Sequence, residues 1–339
     1  MNSTDLAHGT VSDIVIAAKD LTRNFTRRIG TGRARTKEVV TAVSHLNLTV
    51  AAGESVGYIG ANGAGKSTTI KMLTGILLPT SGTVRVCGFE PVRERTALAR
   101  HIGVVFGQRS QLWWDLPLRE SFEILSTIHR LSPGDAATRM QELRDQLELG
   151  DLLDTPVRQL SLGQRMRGEV AAALLHRPRI IILDEPTIGL DVVSKERLRQ
   201  FLLHERAEHG TTLMLTTHDM GDIERLCDRV VVVDQGSVVH DGTLNALASL
   251  VNTQRVMVVD LIEPCAPMND IPHARLTDCD PTGVRQSFTF SPADTTAAAV
   301  LAAVSARAQV RDLTIEEPSI ESIVRTLYEG QRSNPTSTP

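Results

Sequence analysis

Short apolar runs alternate with longer amphipathic stretches from residue 14 to about residue 242. Each run is rich in β-branched residues and predicts a strand, and the stretches between the runs predict helices. The predicted strands are 55–59, 84–87, 102–106, 180–183, 212–216 and 230–233. Strands that alternate with helices are typical of a mainly parallel sheet, so this region is expected to form a large α/β domain.

The pattern changes after about residue 250. Strands are predicted at 255–262, 286–291 and 310–315, with an Ala-rich helix at 294–308. In a last helix at 319–329, Ile320, Ile323, Val324 and Leu327 share one face that can pack against a sheet. We therefore expect polar tails at 1–12 and 331–339, the α/β domain at 13–245 and a small α+β domain at 250–330.

Composition excludes several classes of protein. The 36 Lys and Arg against 40 Asp and Glu give a net charge of -4, which predicts no bulk attraction to nucleic acid or anionic lipid. The four cysteines lie far apart without metal-ligand spacing, so neither a zinc site nor a disulfide framework is indicated, and a reducing cytosol fits them. No signal peptide or apolar run of about 20 residues is apparent, so any membrane attachment would come through partners.

The segment 27–37 is basic, contains glycine and has no periodicity. It is predicted to be a hairpin tip or loop. Its charge has two interpretations: a plain solvated loop, or contact with phosphates or a membrane surface.

Gly60-Ala-Asn-Gly-Ala-Gly-Lys-Ser67 matches the phosphate-binding loop, and it stands between a predicted strand and a helical run at 68–77. In such a loop, glycines let backbone N–H groups surround phosphate oxygens. Lys66 reaches the terminal phosphates and Ser67 offers its hydroxyl to Mg²⁺. A glycine turn beside a surface lysine is the structural alternative.

The strand at 180–183 ends in Asp184 and Glu185, where an open α/β sheet places its ligands. Asp184 is expected to hold Mg²⁺, and Glu185 to polarise the water that attacks the terminal phosphate. An acidic pair that merely solvates a strand end is the alternative. Kinases, GTPases and helicases also combine a phosphate loop with an acidic strand, so the class depends on what lies between them.

Leu160-Ser161-Leu162-Gly163-Gln164 precedes a predicted helix at 165–176 and resembles the signature sequence of the ABC ATPase family. Ser161 can cap that helix, whose N-terminus attracts a phosphate. The family usually has glycine at the position of Leu162. Together with the phosphate loop and the acidic strand, the chain resembles this family from about residue 14 to residue 330.

The resemblance implies an ABC-type ATPase fold with a helical signature subdomain, ATP and Mg²⁺ as cofactors, and further site residues. Gln108, with Gly107 as one extra residue before it, joins the metal shell with Ser67 and Asp184. His218 contacts the terminal phosphate. The remaining implied positions are Asp191 for dimer contact, with a helix cap as its alternative, and, for nucleotide binding, Phe25, Gly60, Asn62, Gly63, Ala64, Gly65, Lys66, Ser67, Thr68, Ser161, Gly163 and Gln164.

Phe25 is expected to stack on adenine, or else to be a core residue. Trp113 and Trp114 follow Gln108 and are expected either at the contact with membrane subunits or in the core. The element Pro318-Ser-Ile-Glu321 is similar to one in ATPases of the sodium-extrusion and drug-resistance exporters.

This resemblance implies a homodimer with two composite ATP sites, held at the cytoplasmic face of the membrane by separate permeases. Two alternatives remain open: a soluble ABC ATPase of DNA repair or translation, and a regulatory subunit with feeble turnover.

Overall fold

The computed structural model describes residues 14–29, 36–107, 109–250 and 254–316. It divides into two compact units between Thr243 and Leu244. Gln108, both predicted tails and the helix predicted at 319–329, which includes the Pro318–Glu321 element, lie outside the described residues.

The first unit mixes strands with helices along its whole length. Its strands are β1 (Ile14–Ile29), β2 (Thr36–Ala51), β3 (Ser55–Gly60), β4 (Ser81–Val86), β5 (Ile102–Phe106), β6 (Ile180–Asp184), β7 (Thr212–Thr216), β8 (Arg229–Asp234) and β9 (Ser237–Gly242). Its helices are α1 (Lys66–Leu73), α2 (Arg95–Leu98), α3 (Leu118–Ile128), α4 (Pro133–Gln146), α5 (Leu162–Leu174), α6 (Val192–His209) and α7 (Met220–Leu226).

A six-stranded sheet in the order β5-β6-β7-β3-β8-β9 forms the centre of this unit. All neighbouring strands are parallel except the pair β8 and β9, which confirms the prediction of a mainly parallel sheet. The apolar residues of β6 are at most 1% exposed. Strands covered on both faces carry continuous apolar runs, and for this reason the sequence predicted these strands.

The strand predicted at 84–87 does not belong to that sheet. It forms part of β4, in a separate antiparallel sheet of order β2-β1-β4. The placement of this strand in the parallel sheet was therefore wrong. In β4 the residues Val84 and Val86 are buried and Thr83 and Arg85 are exposed, an alternation typical of an antiparallel strand with one face in water.

The two ends of the basic segment 27–37 belong to β1 and β2 and extend this sheet, since Arg28 pairs with Lys37. Residues 30–35, between these ends, are outside the described residues.

Helices α3, α4 and α5 form a helical region in which two helices have well-defined starts. Ser132 caps α4 through the Asp135 amide, and Ser161 caps α5. The buried Arg139 of α4 reaches Glu205 of α6 at 2.7 Å and donates to the carbonyl of Leu174 at 3.2 Å. These contacts join α4 to both the end of α5 and the C-terminal half of α6.

The second unit is α8 (Leu244–Leu250), β10 (Arg255–Leu261), β11 (Ala274–Cys279), β12 (Arg285–Phe290), α9 (Ala297–Ser305) and β13 (Val310–Glu316). Its antiparallel sheet has the order β11-β12-β10-β13, and Met257, Phe288, Val300 and Val304 are in its core. Strand β11 was not predicted, since its sequence ARLTDC is polar and none of its residues is fully buried.

Candidate active site

Four parallel neighbours of the large sheet, β5, β6, β7 and β3, end at one edge. Phe106, Asp184 and Thr216 are in register across three of them. The loops that follow these strands enclose a cavity of about 680 Å³. It is lined by Ala42, Ala61, Asn62, Gly63, Gly65, Lys66, Ser67, Thr68, Lys71, Ile76, Phe106, Gly107, Arg109, Asp184, Glu185, Ile188 and His218. Polar residues far apart in sequence therefore meet where an open α/β sheet binds its ligands.

The phosphate-type loop runs from the end of β3 to the start of α1. Gly65 has a φ of 100°, and a Cβ there would lie 2.3 Å from the carbonyl oxygen of Ala42, so only glycine fits this turn. The first helical bond runs from the Thr69 amide to the Gly65 carbonyl, which leaves the preceding amides at the helix N-terminus for an anion. Gly60 and Ala64 shape this loop without lining the cavity.

Lys66 is 9% exposed, and its Nζ donates to the carbonyl oxygen of Gly60 at 2.6 Å. Burial lowers the pKa of Lys66, and the nearby carboxylates of Glu185 and Asp184 act in the opposite direction. The ammonium is thus held by its own loop beside two acidic groups that also line the cavity.

The two carboxylates after β6 have different partners. Asp184 Oδ1 accepts a hydrogen bond of 2.6 Å from the Thr216 hydroxyl. Glu185 has a φ of 57°, in the left-handed region, and its amide donates to the Thr216 carbonyl at 2.9 Å. Its carboxylate lies 3.2 Å from His218 Nε2 and accepts from the His218 amide at 3.3 Å. Hydrogen bonds thereby connect the polar residues at the end of β6 with those at the end of β7.

A buried aspartate beneath these polar residues was missed from the sequence. Asp222 is fully buried and accepts hydrogen bonds from the hydroxyls of Thr187 and Thr217 and from Arg199. Thr187 follows Glu185 and Thr217 precedes His218, so Asp222 connects the loops that carry both. No motif marks this residue, because Thr187 and Arg199 become its neighbours only in the fold.

The signature residues lie at the start of α5 and do not line the cavity. Ser161 Oγ accepts from the Gln164 amide at 3.2 Å, while the Gln164 side chain accepts from the Ser161 amide at 2.8 Å. Leu162 is 38% exposed, and a Cβ added at Gly189 would lie 2.8 Å from its Cδ2. A Cβ added at Gly163 would meet Ser194 Oγ at 2.8 Å. The helix start therefore presents Ser161 and Leu162 to its surroundings.

Asp191 caps α6, as the alternative interpretation proposed. It accepts from the Ser194 amide at 2.9 Å and from the Ser194 hydroxyl at 2.7 Å, and these bonds hold the pKa of Asp191 below its ordinary value. Its dimer contact stays a prediction.

Phe25 is 39% exposed under the guanidinium of Arg23, so the core interpretation was wrong. It is not among the residues that line the cavity, and its stacking on adenine stays a prediction. Trp113 and Trp114 are 37% and 50% exposed, which also excludes core packing for them. Gln108 is outside the described residues, although its neighbours Gly107 and Arg109 line the cavity.

Comparison with known proteins identifies relatives. A family model described as ABC transporter matches residues 43–188. The ABC transporter ATP-binding protein NatA of Bacillus subtilis (strain 168) is 34% identical over 211 residues, which are 62% of this chain and 85% of that protein. A daunorubicin resistance ATP-binding protein of Streptomyces coeruleorubidus is 36% identical over 64% of this chain and 68% of its own length. The Nod factor export ATP-binding protein I of Burkholderia lata is 39% identical over 60% of this chain and 67% of its own length.

Solved structures agree. An ATP-binding subunit of an ABC transporter superposes with a TM-score of 0.60 at 27% identity, over 70% of this chain and 92% of that one. A dimeric ATP-binding cassette in a post-hydrolysis state with ADP and Pi superposes with a TM-score of 0.59 at 28% identity, over 68% of this chain and 98% of that one. Within the described residues, no helix is long and apolar enough to span a membrane. Because the family model, the curated relatives and the solved structures all point to one family, this chain is an ABC ATPase and belongs to the family of ABC transporter ATP-binding proteins.

Proposed function

We propose that this ABC ATPase supplies energy to an exporter, working as a pair and driving separate membrane permeases. One observation supports the assignment above all others. Lys66, Asp184, Glu185 and His218 line a single cavity at the carboxyl edge of the sheet, while the signature Ser161 lies outside it. A second copy would supply the missing signature helix, and two solved cassettes that this chain resembles are dimeric.

Within the cavity, the loop amides and Lys66 bind the polyphosphate of ATP. Asp184, Ser67 and Gln108 would hold Mg²⁺, and the hydroxyl and carboxylate oxygens of Ser67 and Asp184, which line the cavity, suit this hard cation. Mg²⁺ sites usually combine one or two carboxylates with phosphate and water. When bound, the ion neutralises charge on the terminal phosphates.

Glu185 acts as the general base. Three observations support this role: Glu185 lines the cavity, its carboxylate accepts a hydrogen bond from the His218 amide, and it lies next to the His218 ring. His218 then orients Glu185 and contacts the terminal phosphate. Both residues are carried on loops that Asp222 connects, so they keep their mutual position.

The pair is the working unit. In each subunit the capped start of α5, with Ser161, Gly163 and Gln164, faces the nucleotide of the other subunit, and Asp191 contacts the partner chain. ATP binding closes the pair, and hydrolysis reopens it, which drives the permeases between two states. The exposed Trp113 and Trp114 dock the permeases at the cytoplasmic face of the membrane.

The assignment is tested with the purified chain and with membranes. ATP hydrolysis is measured as phosphate release, and Lys66→Ala should abolish it by weakening ATP binding. The chain should also copurify with multi-span proteins, and this association should weaken in a Trp113→Ala/Trp114→Ala variant that still hydrolyses ATP. A hydrolysing chain recovered only in the soluble fraction would instead favour a non-transport ABC ATPase.

A further inference from the structure

A buried carboxylate joins the segment after Gln108 to the middle of α5. Glu169 is 5% exposed, and its two carboxylate oxygens accept from the Ser110 hydroxyl and from the Gln111 amide, the latter at 3.1 Å. Glu169 is also an acceptor through its backbone, since the Gln111 side chain donates to the Glu169 carbonyl at 2.9 Å. Three hydrogen bonds therefore connect two residues of the segment to one residue of the helix.

Packing reinforces this connection on the same face of α5. A Cβ added at Gly168 would lie 3.2 Å from Leu112 Cδ1 and 3.0 Å from Leu118 Cδ1, so the helix approaches the segment closely there. One turn earlier, the guanidinium of Arg165 lies 5.4 Å from the ring centroid of Trp114. The segment 110–114 thus follows the helix surface over more than a turn.

Burying a carboxylate carries a desolvation penalty that an apolar side chain in the same contact would not carry. Burial raises the pKa of Glu169, and the hydrogen bonds from Ser110 and Gln111 act against that rise. A buried acid is tolerated when donors satisfy it, and its bonds fix orientation more strictly than apolar packing does. Glu169 does not line the cavity, so neither phosphate binding nor proton transfer explains it.

We propose that Glu169 is a positioning residue that makes the segment 109–114 and helix α5 move as one body. Arg109, at one end of the segment, lines the nucleotide cavity, and the exposed Trp113 and Trp114 are at the other end. Ser161 stands about 12 Å from Glu169 along the helix, at 1.5 Å per residue. A displacement of the segment would therefore move the signature end that closes on the partner's nucleotide. This inference rests on the proposed function.

The test uses the full chain carrying Glu185→Gln, in which ATP should hold a long-lived dimer, measured by light scattering against ATP concentration with Mg²⁺. Glu169→Gln keeps the volume but sets an amide donor against one of the existing donors. We expect the ATP concentration for half-maximal dimer formation to rise about tenfold, the equivalent of one lost charged hydrogen bond. ATP binding to the monomer, measured by calorimetry at low protein concentration, should stay within about twofold of the parent.

Ser110→Ala is the second variant, since it removes one bond without altering the core. It should shift the dimer curve in the same direction, and the double variant should shift it by less than the sum of the two. Hydrogen exchange adds a direct measurement: ATP should protect both the segment and α5 in the parent, but only the segment in Glu169→Gln.

Glu205→Gln is the matched control, because Glu205 is also a buried glutamate but bonds to Arg139 rather than to the segment. It should lower the melting temperature and leave the dimer curve in place. The proposal is overturned if Glu169→Gln and Ser110→Ala dimerise at the parent's ATP concentration, or if either loses monomer binding. If the Glu185→Gln parent itself fails to dimerise with ATP, the proposed function fails instead.

Discussion

The nucleotide cavity and the Arg139 cluster, defined as Arg139, Glu142, Glu205 and His209, both bring acidic and basic side chains together. Arg139 is 1% exposed and donates to two glutamates and a carbonyl, so its charge is satisfied within the protein. Lys66, in contrast, bonds to the carbonyls of its own loop and lines an open cavity. The difference separates charges that hold the fold from charges placed for a ligand.

Glu185→Gln, a change in the nucleotide cavity, should have the largest effect, and the effect should be on function. Loss of the general base should lower kcat by about 10²- to 10⁴-fold, while ATP binding persists because the loop and Lys66 are untouched. Phosphate release and nucleotide binding, measured on the same preparation, check this. Normal turnover in the variant would remove the role assigned to Glu185.

Arg139→Met, a change in the Arg139 cluster, should lower stability rather than activity. It leaves the buried Glu205 carboxylate without its cation, so the free energy of unfolding should fall by about 3 to 5 kcal/mol, with little change in kcat for the folded fraction. Denaturant unfolding measures the loss. The control is Arg119→Met, whose partner Asp154 is 83% exposed, and this change should cost less than about 1 kcal/mol. Equal losses in the two variants would contradict the distinction.

His176 predicts a dependence of stability on pH. Burial, and then the neighbouring His129, lower its pKa from 6.5 to about 3, so the folded protein keeps this ring neutral while the unfolded chain takes up a proton below pH 6.5. This contribution to stability is complete above pH 6.5 and is lost as the pH falls towards 3. Between pH 7 and pH 5 the loss should be about 2 kcal/mol.

Unfolding of His176→Gln, which cannot titrate, should show a correspondingly flatter dependence over that range. His204→Gln, which replaces an exposed imidazole, is the matched control and should keep the slope of the parent. A parent and a His176 variant with the same slope would show that this ring does not contribute.

Leu162→Gly restores the residue usual in the family and should have the smallest effect. It removes a side chain that lies beside Gly189 and introduces a flexible residue at the start of α5, so the free energy of unfolding should fall by about 1 kcal/mol. ATP hydrolysis should change by less than about threefold. A large gain in phosphate release would mean that Leu162 restrains turnover and that the chain is closer to a regulatory subunit.

The sequence predicted the residues of the site that a continuous motif carries. The phosphate loop, Asp184 and Glu185 could be predicted because strand ends and glycine spacing are visible in a short stretch of sequence. Asp222, Arg109 and Ala42 did not follow, because their positions depend on which strands become neighbours. The same limit explains the assignment of β4 to the wrong sheet, since an apolar run does not specify its partner strand.

The carbonyl of Ala42 lies between two glycines, where a Cβ at Gly65 would be 2.3 Å away and one at Gly236 would be 2.9 Å away. The phosphate loop and the β8–β9 turn thus both pack closely against the Ala42 peptide group of strand β2. A ligand that tightens the loop would therefore also protect the antiparallel sheet. Heat should then melt the two sheets of this unit together when nucleotide is present.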